Sequence, residues 1–360
     1  MESIAKKNIR HLSVFDPGPS EQALKEKYSL QTLTRLFMNE NVYGCSPRVL
    51  QALREVTPQD LAVYPSARTD QLRQALARKH QVDPESIVMT NGLDEMILLL
   101  ARTFIEEGDE VLGHTPTFPE IYSQARVDGG IPVMIPDKGQ NIDWDGMLQG
   151  ISSRTKMIYL CNPNNPTGRL LPLEEIRDFL EHVPEDVLVV IDEAYMEYTQ
   201  DPQSSTALPL VEEYPQVAVM RTFSKAYGVA NARVGFGVFS PKHLSAIDAV
   251  RLPFNFNTLN EKMAIAALKD EDFLEETRKL NEAEKRRWEE FLTTQGLDYH
   301  PSATNFLFIH VPRAEALVQK ALEAGYRIIT HSYEDHVRLT LPAASDGIVL
   351  RELFKNHLKN

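Results

Sequence analysis

Cysteine is scarce in this sequence: its 360 residues include two, Cys45 and Cys161, far apart in the chain. That excludes a disulfide framework and fits a reducing compartment, so a cytoplasmic location is expected. Basic residues are outnumbered, 38 Lys and Arg against 51 Asp and Glu, for a formal net charge of −13. An acidic surface repels a phosphate backbone, which argues against nucleic acid as a partner. The acidity is spread along the chain and forms no tail. Long apolar runs are missing: nothing approaches the roughly 20 residues that span a bilayer. The opening MESIAKKNIRHLSVF lacks the apolar stretch of a signal peptide. No internal repeat or low-complexity segment is present, and no metal site is expected.

What is there reads as an α/β protein. The chain is too long for one compact core, so a larger and a smaller domain are expected. Residues 1–45 read as an irregular arm, broken by DPGPSE, that joins the small domain; 46–252 read as the large domain and 253–360 as a smaller α+β domain. Between about Ser46 and Phe239, helical periods such as Asp70–His80 and Asp94–Phe104 alternate with short apolar runs. The runs are Ser86–Thr90, Glu110–His114, Lys156–Cys161, Val187–Asp192 and Val217–Thr222. Continuous apolar runs between helices suit strands buried on both faces of a mostly parallel sheet. After Pro253 the expected elements are a charge-rich helix over Glu271–Leu292, a strand over Asn305–Val311, a helix over Ala314–Gly325 and a strand over His336–Leu341.

Ligands bind beyond the carboxyl ends of such strands, and four polar loops sit there: TNGLDE (Thr90–Glu95), NPNNPTG (Asn162–Gly168), DEAYMEY (Asp192–Tyr198) and TFSKAYGVANARVG (Thr222–Gly235). Taken singly each has an ordinary explanation. Lys225 could be a surface lysine, Asp192 a helix N-cap, NPNNPTG a plain turn and TNGLDE a helix start. Together they supply what an aromatic aldehyde bearing a phosphate would need. Lys225 can form the imine and move protons. Asp192 can keep a ring nitrogen protonated so that the ring acts as an electron sink. Amides can hold a ring oxygen, and a helix N-terminus with hydroxyls and Arg233 can hold the phosphate.

Those motifs, NPNNPTG, DEAYMEY and RTFSKAYG…RVG in order, resemble the fold-type-I pyridoxal-phosphate aminotransferases, and within them the histidinol-phosphate aminotransferase group. The likeness runs from Asn39 to Leu341. It implies a large domain with a mostly parallel seven-stranded sheet, and pyridoxal 5'-phosphate as cofactor. It implies Lys225 as the Schiff-base lysine and acid/base, Asp192 on the pyridinium nitrogen, and Asn165 and Tyr195 on the phenolate oxygen. Phe118 would stack on the ring. Gly92, Leu93 (through its backbone), Ser224 and Arg233, with Thr222, would bind phosphate. Tyr64 would reach the site of a second subunit, making a homodimer with shared sites. Arg338 would bind the substrate's carboxylate or its equivalent, with Asn165 and Asn305 nearby.

The chain departs from that pattern at Leu93, where a serine is usual, at Val42, and at Ile329, where close relatives carry an arginine for the substrate's phosphate. Arg327 lies nearby but is expected at a different phase of the strand. The preferred reading is therefore an aminotransferase acting on small amino and keto acids: a free amino acid, aromatic ones included, with 2-oxoglutarate as acceptor. The alternatives are histidinol phosphate as substrate, with Arg327, His331 or a partner residue replacing the missing arginine, and a decarboxylase of the threonine-phosphate type. A non-enzymatic relative is disfavoured by intact Lys225 and Asp192.

Overall fold

The structure, a computed structural model, describes residues 4–10, 12, 16, 18–330 and 335–359. Seven strands form the main sheet: β1 (Ile87–Asn91), β2 (Glu110–Thr115), β3 (Ile131–Pro136), β4 (Thr155–Cys161), β5 (Leu188–Asp192), β6 (Val217–Thr222) and β7 (Val234–Phe239). Their order is β1-β7-β6-β5-β4-β2-β3. All neighbouring pairs are parallel except those made by β7, which runs antiparallel to both β1 and β6. Every residue of β5 and β6 is buried, as expected of strands covered by helices on both faces.

Helix 70–80 has the expected bounds, with Leu72 and Leu76 four residues apart on its inward face and fully buried. The helix after β1 starts one residue earlier than expected, at Leu93. Two strands lie outside the five expected runs. β3, Ile-Pro-Val-Met-Ile-Pro, is a half-exposed edge strand carrying two prolines. β7 carries Gly235 and Gly237 among its apolar residues; a Cβ on Gly235 would lie 2.7 Å from the carbonyl carbon of Gly92. The bare glycine lets β7 pass against the start of helix 93–104.

A second, three-stranded antiparallel sheet contains β8 (Phe306–His310), β9 (Ile329–Thr330) and β10 (His336–Thr340), in the order β9-β10-β8. The charge-rich helix continues to Gln295, where Gly296, in the left-handed region, caps it. The apolar side chains fall into two clusters. One runs from Val49 to Leu274, with Phe306; the other joins Leu36 to residues between Trp288 and Phe354. Ala264, Ala267, Leu268 and Leu274, beyond the division expected at 252/253, pack in the first. The arm is less irregular than expected: Ser20 accepts a hydrogen bond from Ala23 N and caps a helix over Glu21–Tyr28. Thr34 and Arg35 then pair in parallel with Tyr326 and Arg327, tying the arm to the chain just before β9.

Candidate active site

The strand ends of β4, β5 and β6 bring Asn165, Asp192 and Lys225 together under the small sheet. Beyond β6 the chain turns sharply, because Thr222 Oγ1 accepts from the Ser224 amide and itself donates to the Val234 carbonyl or the Ser224 hydroxyl. That turn carries Lys225 inward. Its Nζ donates to the Met38 carbonyl at 2.8 Å and stands 5.7 Å from the Tyr195 ring centre. Burial, reinforced by the Arg338 guanidinium, lowers its pKa from 10.5 to about 8. A sizeable neutral fraction, needed for attack on an aldehyde, therefore exists near neutral pH.

Asp192 ends β5 fully enclosed. Burial pushes its carboxyl up to about 6, against the pull of its partners: Tyr159 donates its hydroxyl to Oδ2 at 2.7 Å and the Ala194 amide donates to Oδ1 at 3.0 Å. A buried carboxylate so oriented, with no cation in salt-bridge contact among the described residues, is suited to a ring N–H⁺.

Beside Lys225 an anion cup forms at the N-terminus of helix 93–104. Gly92 caps that helix at φ +79°. A methyl group there would lie 2.2 Å from Arg233 Nη2, so only glycine lets the guanidinium close over the amides. Arg233 Nη1 donates to the Ser224 hydroxyl at 3.3 Å and the Ala230 carbonyl at 3.1 Å, and Nη2 to Asp94 at 3.0 Å. The Leu93 side chain points into the core, 8% exposed. A hydroxyl is thus lost to the cup, while the Leu93 amide remains at the helix start. The geometry suits a phosphate.

The Tyr195 hydroxyl accepts from Asn39 Nδ2 at 2.9 Å, and burial raises its pKa, keeping it a donor. Asn165 Oδ1 accepts from Arg338 Nη1 at 2.7 Å. That contact fixes which end of the Asn165 amide is the donor. Arg338 Nη2 donates to the Phe37 carbonyl at 2.5 Å, and its buried Nε has no hydrogen-bond partner among the described residues. Asn305 reaches the carbonyls of Asn39 and Glu40 at 3.0 and 3.2 Å, bracing the 37–40 loop below Arg338. Phe118 is half-buried against the first core cluster. Tyr64 stands apart on the surface, 82% exposed, with its ring stacked on Phe254 at 4.9 Å.

Sequence reasoning missed Tyr159, Asn39, Phe37 and Met38. Tyr159 was hidden in the apolar run KMIYLC; a hydroxyl in the middle of a fully buried strand was the available signal, since it must find a partner. Asn39 stands at the start of the resemblance, where no role marks it. Arg327 belongs to a two-residue strand separate from that of Ile329, and its guanidinium stacks on the Phe37 ring at 4.3 Å. His331 lies outside the described residues.

Among the described residues no helix is long and apolar enough to cross a membrane, and no cluster of His, Cys, Asp and Glu could hold a metal ion. The family model for aminotransferase class I and II matches residues 31–355. The chain is 39% identical to the histidinol-phosphate aminotransferase of Lactiplantibacillus plantarum over 97% of its own length and 99% of the relative's. It is 40% identical to that of Limosilactobacillus fermentum, over 98% and 99%. The crystal structure of the Sinorhizobium meliloti histidinol-phosphate aminotransferase in complex with pyridoxal-5'-phosphate superposes with a TM-score of 0.89 at 28% identity, covering 99% of both chains. On the match of its sequence to that family over most of its length, the chain belongs to the aminotransferase class I and II family.

Proposed function

We propose that this protein is a pyridoxal-phosphate-dependent aminotransferase that takes the amino group of histidinol phosphate and passes it to 2-oxoglutarate. The observation that carries the reading is Arg338. It is a guanidinium set against Asn165 and near Lys225, burial disfavours its charged form, and its buried Nε lacks a partner among the described residues. A cation enclosed in this way calls for an anion from the substrate. Relatives near 40% identity that share almost the whole chain favour the phosphorylated amino alcohol over the free amino acid expected from Ile329.

The residues fit the cofactor. When bound, pyridoxal phosphate supplies an aldehyde for the amino group and a ring that takes up the electron pair released when the substrate's Cα–H bond breaks. The protein's part is positional and acid–base. The cup of Gly92, Leu93, Ser224 and Arg233 anchors the phosphate. Asp192, held by Tyr159, keeps the ring nitrogen protonated. Asn165 and Tyr195 donate to the ring oxygen. Lys225, eased toward its neutral form by burial and Arg338, takes the proton from the substrate carbon and returns it elsewhere. Phe118 supplies a ring face. Tyr64 and Phe254 stack on each other while both stay exposed, and Leu61, Val63 and Leu252, close to them in sequence, are exposed too; apolar surface of this kind suits cover by a second subunit, and we assign it to a homodimer in which Tyr64 serves the neighbouring site.

A second reading, transamination of a free amino acid, is favoured by one observation: Ile329 is the register partner of Arg338 and adds no charge beside it. Steady-state kinetics with histidinol phosphate and with phenylalanine, each with 2-oxoglutarate, decide. A higher kcat/KM for histidinol phosphate, with glutamate formed in equal amount, is expected. Preference for phenylalanine would overturn the reading, and release of carbon dioxide without glutamate would replace it with decarboxylation.

A further inference from the structure

The small sheet presents one face to its own core and the other to the cleft. Leu307, Ile309, Val337 and Leu339 lie in the second core cluster. Side chains alternate along a strand, so Phe306, Phe308 and His310 of β8 and His336, Arg338 and Thr340 of β10 face the other way. Register groups them in three cross-strand rows: Thr340 with Phe306, Arg338 with Phe308, and His336 with His310. The innermost row touches the site: Phe306 lies edge-on to Tyr195 at 5.1 Å and the Thr340 hydroxyl donates to Asn39. The middle row holds Arg338. The outermost row is imidazole, roughly 7 Å further along the strands.

That outer row is ordered. The His336 ring stacks on Phe308 at 4.6 Å and 19°, and His310 stands 5.1 Å from it. A third imidazole, His300, lies 5.4 Å from Phe308. Asp137, whose charge acts on His300, already pairs with His114 at 2.9 Å. No set of these groups has metal-binding geometry among the described residues. Stacking holds the His336 ring within 19° of the Phe308 plane.

A phosphate dianion is held by two or more charged or N–H donors. On this face Arg338 is flanked across the strand by Ile329, which offers none, and Arg327 is set off by Phe37, whose ring it covers and whose carbonyl takes Arg338. The flank that carries nitrogen is the imidazole row. We propose that His336, backed by His310, is a specificity-determining residue that binds the substrate's phosphate together with Arg338. A substrate whose reacting carbon lies at Lys225 and which extends past Arg338 brings its far end toward this row. An imidazole ring always carries at least one N–H donor for a phosphate oxygen. This inference rests on the proposed histidinol-phosphate reading.

The test is the ratio of kcat/KM for histidinol phosphate to that for unphosphorylated histidinol, measured with the holoenzyme. Losing one hydrogen bond to a charged group is expected to lower that ratio roughly 10- to 100-fold in His336→Gln, mostly through KM for the phosphorylated substrate. Adding Ile329→Arg, directly across from Arg338, is expected to restore it. An unchanged ratio in His336→Gln overturns the inference, as does an equal loss on both substrates, which marks a structural role. A drop seen with Arg327→Gln and not with His336→Gln also overturns it. Absence of turnover of histidinol phosphate by the wild-type enzyme is a different result: it removes the proposed function, and the inference with it.

Discussion

A methyl group on Gly92 would stand 2.2 Å from Nη2 of Arg233. The residue also sits at φ +79°, where side chains are strained. Gly92→Ala should therefore push the guanidinium off the cup and raise the dissociation constant of pyridoxal phosphate at least about tenfold, the loss expected when a hydrogen bond to a charged group, about 1.5–3 kcal/mol, is removed. Gly108 is the control. It lies at φ +95°, and a methyl group there would meet nothing within 4 Å, so Gly108→Ala carries the backbone strain without the clash. Spectroscopic titration of the two apoenzymes is expected to separate them; equal affinities would show that the close approach is irrelevant to the cup.

Lys225 should set the pH dependence of cofactor capture. Its folded pKa of about 8 lies below the ordinary 10.5, so the neutral, nucleophilic form gains as pH rises through 8. At about pH 7.5 roughly a quarter of such a lysine is neutral, against roughly 0.1% of an ordinary one. The rate of covalent attachment of pyridoxal phosphate to apoenzyme is expected to rise with pH to a midpoint near 8. Arg338→Met should move that midpoint upward, because a neighbouring cation is removed. A midpoint near the ordinary lysine value in the wild type would refute the desolvated lysine.

Tyr159 and Asp192 form the second coupled pair. The hydroxyl is one of the two donors that hold the buried carboxylate in its charged form. In Tyr159→Phe the carboxyl pKa should climb further above 6, weakening its hold on the ring nitrogen's proton. Hydrogen bonds to charged groups contribute about 1.5–3 kcal/mol, so kcat should fall roughly 10- to 100-fold while cofactor affinity, set by the cup, changes little. Asp192→Asn should cost more, on the order of 10³-fold. Kinetics and bound-cofactor absorbance on the same samples check both; full activity in Tyr159→Phe would show that the second donor, the Ala194 amide, suffices.

Much of this site could be read before the fold was known, because its residues cluster in sequence at strand ends: Asn165, Asp192 and Lys225 each follow or close an apolar run that became a strand. What could not be read depends on contacts between distant segments. Asn39 meets Tyr195 across 156 residues, and nothing local marks either as the other's partner. The apposition of Ile329 and Arg338 depends on strand register. Strand β7 has no clear local signal, because Gly235 and Gly237 interrupt its apolar residues and its place is set by packing against Gly92. Helix 258–268 lies past the change in texture at Pro253, yet its buried side chains join the first cluster.

Tyr64 gives a test of the shared site that does not depend on a crystal of the dimer. Its ring is 82% exposed and stacks on Phe254, itself 51% exposed, whereas the cup of the same chain is built from Gly92, Ser224 and Arg233. If Tyr64 serves the neighbouring subunit, two defective variants should repair one another. Lys225→Ala homodimers lack the reactive amine at both sites, and Tyr64→Ala homodimers lack the tyrosine at both. In a mixed dimer, the site built on the Tyr64→Ala chain keeps its Lys225 and receives an intact Tyr64 from the Lys225→Ala chain. Co-refolding the two at equal ratio should make about half of the dimers mixed by random pairing, each with one complete site out of two, so activity should recover to about a quarter of the wild-type value. Mixing without subunit exchange should give only the residual activity of the Tyr64→Ala protein. A Tyr64 that acts within its own chain predicts no gain on co-refolding, because no arrangement then unites an intact Lys225 with an intact Tyr64.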